Sequence, residues 1–393
     1  MELKRKVVII GGCIAAKEAA GAIRDNDKSC IITIISSEDY LPYYRPMLSR
    51  AIGQELTKTR LYLAPESWYK ERNIDLVLST EISQVLPDQN SVVATNGDTY
   101  DYTHLIIATG ATNFIPLTNA TGMEGVLSIR DYNDVIKLRA LLPRVKTAVV
   151  VGGGLLGIEA AWELQQQNIQ VKLIEYAPYV LPKQLDRDSA NFLSEHLQER
   201  GVGLVCSSAT QNVLGTDTVT GVQCASGEVH PCDLLLFSTG AIPNIGVVKD
   251  TRIATDRGII VDQHMRTNIP NIYAAGDVAQ NEYGTSGIWV PAMEMGKVAG
   301  SNVAGKEMVY APAFTSTMLT AFDTKVFSIG KISDDPSVMT ETIADPKKRF
   351  FKKLFAHDGM LIGAILIGDI SQGTRLAKQL GVISLEDAKE LIE

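Results

Sequence analysis

One pattern occurs twice in this chain and limits its fold more than any other feature. Residues 7–20 read VVIIGGCIAAKEAA and residues 148–161 read AVVVGGGLLGIEAA, the second glycine turn following the first by 141 residues. Each copy joins a continuous apolar run, a glycine turn and a helix of small residues. That is how a strand of a parallel sheet, buried on both faces, hands over to its crossover helix. A helix beginning at such a turn presents unpaired N–H groups and the positive end of its dipole, so each copy offers a place for a pyrophosphate.

The second copy carries the full G-x-G-x-x-G spacing in Gly152, Gly154 and Gly157. These supply a tight turn, a close backbone approach and a close helix–strand contact. The next apolar run ends in Glu175, 23 residues after Gly152. A carboxylate there accepts ribose hydroxyls and repels a 2′-phosphate, and no arginine follows closely, so NADH is expected over NADPH. In the first copy Gly11 is retained and Gly12 follows it. Cys13 replaces the middle glycine and Ala16 the third. Ala16 is an accepted variant. The Cβ of Cys13 is expected to crowd the space a close pyrophosphate needs. Ser36 stands where the ribose acid is expected, with Glu38 two residues on. A dinucleotide site and an empty half kept for architecture are both compatible with this copy.

Residues 104–110 end in Thr109 and Gly110, and residues 233–240 repeat that pattern up to Gly240. These paired strand ends mark crossings between domains and imply that the second unit is inserted in the first. The fold class expected is α/β, with two Rossmann-like dinucleotide-binding domains, the second inserted in the first, and a small α+β C-terminal domain. The expected boundaries are 1–112 with 240–312, 113–239, and 313–393. Residues 272–279, IYAAGDVA, place Gly276 and Asp277 after a strand and at the start of the next helix. There Asp277 either binds a ribityl or sugar hydroxyl or caps the helix. Residues 41–50, LPYYRPMLSR, offer walls and a cation for a planar ring, or form an exposed turn. Trp289 precedes a helix expected over residues 293–304 and is either pocket lining or core. Residues 349–369 read as a hairpin turning at His357, Asp358 and Gly359, with a helical tail from about Gln372.

Composition removes several function classes. The net charge of −8 and the lack of a Lys/Arg block argue against a nucleic-acid or anionic-membrane surface. The longest later apolar run, residues 360–368, is about half of what a membrane helix needs. No secretory segment is expected, because only four apolar residues follow the charged start. The five cysteines contain no CxxC pair, and no histidine spacing suggests a metal, so reduced thiols in a cytoplasmic protein are expected and no metal site is.

Taken in order, VVIIGG…AAKEAA, LPYYRPMLS, LIIATG, VVVGGGLLGIEAA and IYAAGDVA resemble the FAD-dependent pyridine nucleotide oxidoreductases over essentially the full length. Within them the chain is most similar to NADH:rubredoxin reductases and the flavoprotein part of NADH-dependent nitrite reductases. The resemblance implies hydride transfer from NADH to FAD, then electron transfer to a small carrier such as rubredoxin, a ferredoxin-like or a flavodoxin-like protein. It implies that Gly11, Gly12, Cys13, Ala16, Glu38, Thr109, Gly110, Gly276 and Asp277 lie at FAD. Arg45, Pro46, Arg50 and Trp289 would lie toward its ring, Arg50 standing where many relatives carry lysine. Gly152, Gly154, Gly157, Glu175 and Gly240 would hold NADH, and Glu159 would pair with the Arg50 cation. Glu159, Arg50 and Arg45 are the catalytic candidates.

Residues 31–63 contain no cysteine, which argues against thiol and disulfide substrates. An NADH oxidase, an electron-input subunit of a larger redox complex, and a non-catalytic nucleotide-binding protein with a degenerate FAD site are the alternatives. Monomer and homodimer are equally compatible.

Overall fold

Short runs of Val and Ile cannot be covered by one layer when both faces are apolar, and the chain answers by building two parallel sheets, each in its own unit. The structure is a computed structural model and describes residues 4–54, 56–120, 122–312 and 316–393. It divides into a first unit of Met1–Met47, Leu56–Thr112 and Ala241–Pro312, and a second of Leu48–Glu55, Asn113–Gly240 and Ala313–Glu393.

In the first unit the sheet order is Ile272–Ala274, His104–Ile107, Lys6–Ile10, Ile31–Ile35, Ile74–Val77, every neighbour parallel. Val7, Val8, Ile9, Ile32, Ile34 and Ile106 are all essentially inaccessible, as a sheet covered on both faces requires. The Ile14–Asn26 helix packs on the Trp289–Val303 helix. The approach is backbone-close: a Cβ on Gly296 would lie 2.3 Å from the Ala15 carbonyl oxygen, and one on Gly300 2.2 Å from that of Ala19. The second of these helices begins at Trp289 rather than at 293, and takes Pro291 into its first turn. A proline is tolerated there because its missing N–H would have no intrahelical partner.

The second unit repeats the plan. Its parallel sheet runs Gly203–Val205, Gln170–Ile174, Thr147–Val151, Leu234–Phe237, Val126–Ser128. Beyond Pro312, the chain adds an antiparallel sheet ordered Thr317–Ala321, Thr324–Gly330, Met360–Ile367, Phe350–His357, Met339–Asp345. Two helices, Gly373–Ala377 and Leu385–Ile392, follow. Asp358 and Gly359 make the expected turn, both with positive φ (50° and 77°), the geometry that matches the twist of a two-residue hairpin.

This antiparallel sheet shares a core with the parallel one: Phe322, Phe355 and Ile365 cluster with Leu164, Leu185, Leu193 and Leu236. A buried ion pair fixes the contact. Lys353 donates to Asp186 at the start of the Arg187–Glu199 helix, and its Nζ lies 2.9 Å from an Asp188 oxygen. Among the described residues no helix is long and apolar enough to cross a membrane.

Candidate functional site

Each unit carries one of the two glycine turns, and comparing them residue by residue shows what each can hold. In the second unit Gly152 has φ +110°, and a Cβ on it would lie 2.3 Å from the Ser238 carbonyl oxygen, so only glycine fits this turn. A Cβ on Gly157 would lie 1.9 Å from the Gly152 carbonyl oxygen, which is how closely the Leu155–Gln166 helix packs on the turn. Gly154, the residue before that helix, has open space in front of it: a Cβ there would meet nothing within 4 Å. Glu175, 9% exposed, accepts hydrogen bonds from the backbone N–H groups of Gly153 and Ala177 (the latter 2.6 Å). The turn therefore fixes the carboxylate beside the opening. Gly240 (φ +96°) closes the neighbouring strand end, its carbonyl accepting from Phe114 N–H at 2.9 Å.

The first unit matches this turn position by position. Gly11 (φ +126°) would place a Cβ 2.1 Å from the Ala108 carbonyl oxygen. Its N–H donates to Ile35 O at 2.8 Å, as that of Gly152 donates to Ile174 O at 2.8 Å. Gly12 faces Ser36 as Gly153 faces Glu175, so Ser36 occupies the place of the acid. Ala16 takes the place of Gly157 and is fully buried. Cys13 takes the place of Gly154. Its backbone is extended (φ −127°, ψ −164°), a conformation open to any residue, so the cysteine sits in this turn without backbone strain.

The cysteine side chain is held by a charged group. Arg45 Nε donates to Cys13 Sγ at 3.1 Å, its guanidinium pairs with Glu38, and it lies 5.1 Å from the Tyr43 ring centroid. Tyr43 OH donates to Glu38 at 2.7 Å. Burial works against the Arg45 charge, but Cys13, Tyr43 and Glu38 outweigh it and hold the guanidinium above its ordinary value.

Helix capping tests whether these turns fit a phosphate. Asp131, Asp186 and Ser384 cap their helices through side-chain oxygens. The Ile14–Asn26 and Leu155–Gln166 helices have no such side-chain bond at Cys13 or Gly154. No cap side chain competes for their first N–H groups, a condition a pyrophosphate needs and one that the Glu66–Glu71 and Trp289–Val303 helices also meet; the glycine turns are what set these two apart.

Gly276 (φ +78°) packs on the start of the first helix, where a Cβ on it would lie 3.1 Å from Ala15 Cβ. Asp277 belongs to a short 3₁₀ turn, Gly276–Val278, and not to the start of a helix as the sequence suggests: the left-handed Gly276 breaks the path. Thr109 and Gly110 are tied to Asn244, through Thr109 Oγ1 to Asn244 O at 2.9 Å and Asn244 N to Gly110 O at 2.9 Å.

Trp289 is half-buried, with its ring edge-to-face on Tyr44 at 4.8 Å, so it is not core. In the segment 41–50 Pro42, Tyr43, Leu48 and Ser49 are buried and Tyr44 and Arg50 are exposed, and the chain forms two 3₁₀ turns there, Arg45–Met47 (with Pro46) and Arg50–Ile52. Arg45 lies in the first unit and Arg50 in the second.

In the second unit Glu159 projects from the Leu155–Gln166 helix and accepts a hydrogen bond from Ser49 Oγ at 2.7 Å. Burial pushes its carboxyl above the usual carboxylate range, against the pull of Ser49 and Arg50. Sequence reasoning passed over Ser49 and also Glu163, 8% exposed and one turn further along the helix. The signal available was the i,i+4 spacing of the two glutamates.

Comparison with known proteins agrees with this geometry. Residues 5–296 match the family model for pyridine nucleotide-disulphide oxidoreductases, and residues 316–381 that for the rubredoxin NAD+ reductase C-terminal domain. The chain is 30% identical to an NADH-rubredoxin oxidoreductase of Clostridium acetobutylicum, over 95% of this chain and 94% of the relative. It is also 30% identical to a Bacillus subtilis nitrite reductase [NAD(P)H], over 95% of this chain but only 47% of that longer protein. The crystal structure of the C. acetobutylicum NADH:rubredoxin oxidoreductase superposes with a TM-score of 0.81 at 28% identity, covering 99% of this chain and 100% of the other. The chain belongs to the pyridine nucleotide-disulphide oxidoreductase family, and is an NAD(P)H oxidoreductase that works with FAD.

Proposed function

We propose that the chain passes reducing equivalents from NADH, through FAD, to a small electron-carrier protein of the rubredoxin or ferredoxin type. One observation carries this reading: two uncapped glycine-turn helices, of which only the second has a buried carboxylate, Glu175, at the strand end beside it. On this reading residues 1–112 with 240–312 form the FAD-binding domain, 113–239 the NADH-binding domain, and 313–393 the C-terminal domain. When bound, FAD takes up a hydride and gives up electrons one at a time; the protein supplies binding, orientation and charge.

In the first unit, Gly11, Gly12, Cys13 and Ala16 hold the FAD pyrophosphate on the start of the first helix. Glu38, Thr109, Gly110, Gly276 and Asp277 hold its sugar and ribityl parts, and Arg45, Pro46 and Trp289 its ring. In the second unit Gly152, Gly154, Gly157 and Gly240 seat the NADH pyrophosphate, and the Glu175 carboxylate accepts ribose hydroxyls and rejects a 2′-phosphate. Glu159 and Arg50 supply a paired charge for the hydride step.

The rubredoxin-reductase match over residues 316–381 supports a carrier acceptor. The five free cysteines and the absence of a membrane-crossing helix among the described residues support a cytoplasmic location. The half-length match to the nitrite reductase favours a second reading, in which the chain is the electron-input part of a larger complex. Supplying the FAD-loaded protein with NADH and either oxidised rubredoxin or oxygen separates the readings. Carrier reduction far faster than oxygen uptake is expected. Vigorous oxygen turnover with no carrier reduction points to an oxidase, and co-purification with an iron–sulfur protein to the complex.

A further inference from the structure

Glu159, expected to pair with Arg50, is held by a different partner. Arg50 is exposed, and among the described residues its guanidinium makes no hydrogen bond or ion pair. Ser49, next to it in sequence, is 4% exposed. It stands at the N-cap of the Arg50–Ile52 turn, where a serine hydroxyl ordinarily accepts a bond from the turn's own N–H groups. No such bond forms, and the hydroxyl donates instead to Glu159 Oε2 at 2.7 Å. Among the described residues this is the one hydrogen bond that the Glu159 carboxylate accepts, so Oε1 is left without a donor.

Packing on both sides of the serine fixes it there. Ile52, at the end of the turn, is buried in one core with Ile158 and Leu164 of the Leu155–Gln166 helix. At Gly53 the chain meets that helix with bare backbone: a Cβ there would lie 2.5 Å from Glu163 Oε2. The charged groups around the Ser49–Glu159 pair are few. Glu163 stands one turn further along the helix, and Arg50 bears on both glutamates through its charge. Of the strands packed on this helix, Thr147–Val151 and Thr317–Ala321 carry no titratable side chain, and Lys172 of Gln170–Ile174 lies 3.0 Å from His230 Nδ1. On the Tyr132–Leu141 helix, packed on the Arg50 turn, Arg139 donates to the Gln54 carbonyl at 3.3 Å, and Lys137 lies 4.0 Å from Asp134.

We propose that Ser49 is the positioning residue for Glu159, its hydroxyl fixing Oε2 so that Oε1 is presented to the bound nucleotide. The assignment rests on the reading that Glu159 serves the hydride step. A neutral hydroxyl suits this task, because it orients the carboxylate without the counter-charge that a contacting guanidinium would bring. Glu159 therefore keeps the raised proton affinity that burial gives it, lowered only in part by the Ser49 bond and the more distant Arg50 charge.

The test uses the full-length protein with ¹³C-labelled glutamate carboxyls, titrated by NMR without FAD, the Glu159 signal being assigned by its loss in Glu159→Gln. Ser49→Ala removes a donor to the ionised form, so the Glu159 midpoint is expected to rise by roughly one pH unit. In the FAD-loaded protein Ser49→Ala should slow flavin reduction by NADH on the order of tenfold, with its acid limb moved to higher pH. In a Glu159→Gln background the same substitution should have no further effect on that rate. A Glu159 midpoint unchanged in Ser49→Ala overturns the assignment. So does a loss of rate as large in the Glu159→Gln background as in the wild type, which would mark a merely structural serine. A Glu159→Gln protein that reduces flavin with the wild-type rate and pH profile overturns the hydride reading instead.

Discussion

Glu175 and Ser36 occupy the same place in two copies of one turn, and only the first is charged, the difference that under the proposed function separates their nucleotides. Glu175→Gln keeps the shape and removes the charge that would face the ribose. Losing a charged hydrogen bond costs about 1.5–3 kcal/mol, so kcat/KM for NADH should fall roughly ten- to a hundredfold and the discrimination against NADPH should shrink. Steady-state kinetics with both nucleotides check this, and an unchanged NADH/NADPH ratio would contradict it.

Charge also has a price in stability at Glu159 and Glu163. Their folded values lie above the unfolded carboxylate range. The fold therefore favours their protonated forms: that share of stability is full below the unfolded range and is lost as pH rises through the folded values. Glu163→Gln should raise the Tm at neutral pH and lose its advantage in acid, as thermal unfolding across pH would show. Glu175 was legible from spacing alone. Glu163 was not, because two glutamates a turn apart on a helix usually mark a solvated face, and the segment around Gly53 that packs on this one is distant in sequence.

Among the elements, the two helices of the first unit meet through bare backbone. With its Cβ 2.2 Å from the Ala19 carbonyl oxygen, Gly300→Ala forces the helices apart. Overpacking of this kind costs about 1–3 kcal/mol. The urea midpoint should fall with the slope unchanged, and FAD retention should weaken because the start of the first helix moves. The strands and the glycine-turn helices were readable because apolar runs and glycine turns are local signals. Two boundaries were not. Trp289 reads as preceding a helix that starts at 293 but is its first residue, and Asp277 reads as a helix start but follows a left-handed glycine.

At the scale of the whole molecule, the C-terminal sheet was visible as a hairpin pattern, but its attachment was not, since Lys353 and Asp186 pair across 167 residues of sequence. Burial opposes the Lys353 charge, yet Asp186 and Asp188 hold its proton affinity above the ordinary value. Its contribution is therefore present below the unfolded lysine value and is lost only as pH rises through the folded one. Lys353→Ala leaves Asp186 buried and unpaired, and should destabilise the second unit by about 3–5 kcal/mol in chemical denaturation.

The central claim is that both turns hold a dinucleotide and that a hydride passes between the two ligands. Anaerobic titration with NADH of the purified protein, after it has been supplied with FAD and freed of the excess, followed in the visible flavin bands, tests it most directly. Stoichiometric bleaching by NADH is the predicted result. A protein that stays colourless and inert after FAD is added would contradict the account, and would mean that Cys13 has closed the first turn to its cofactor.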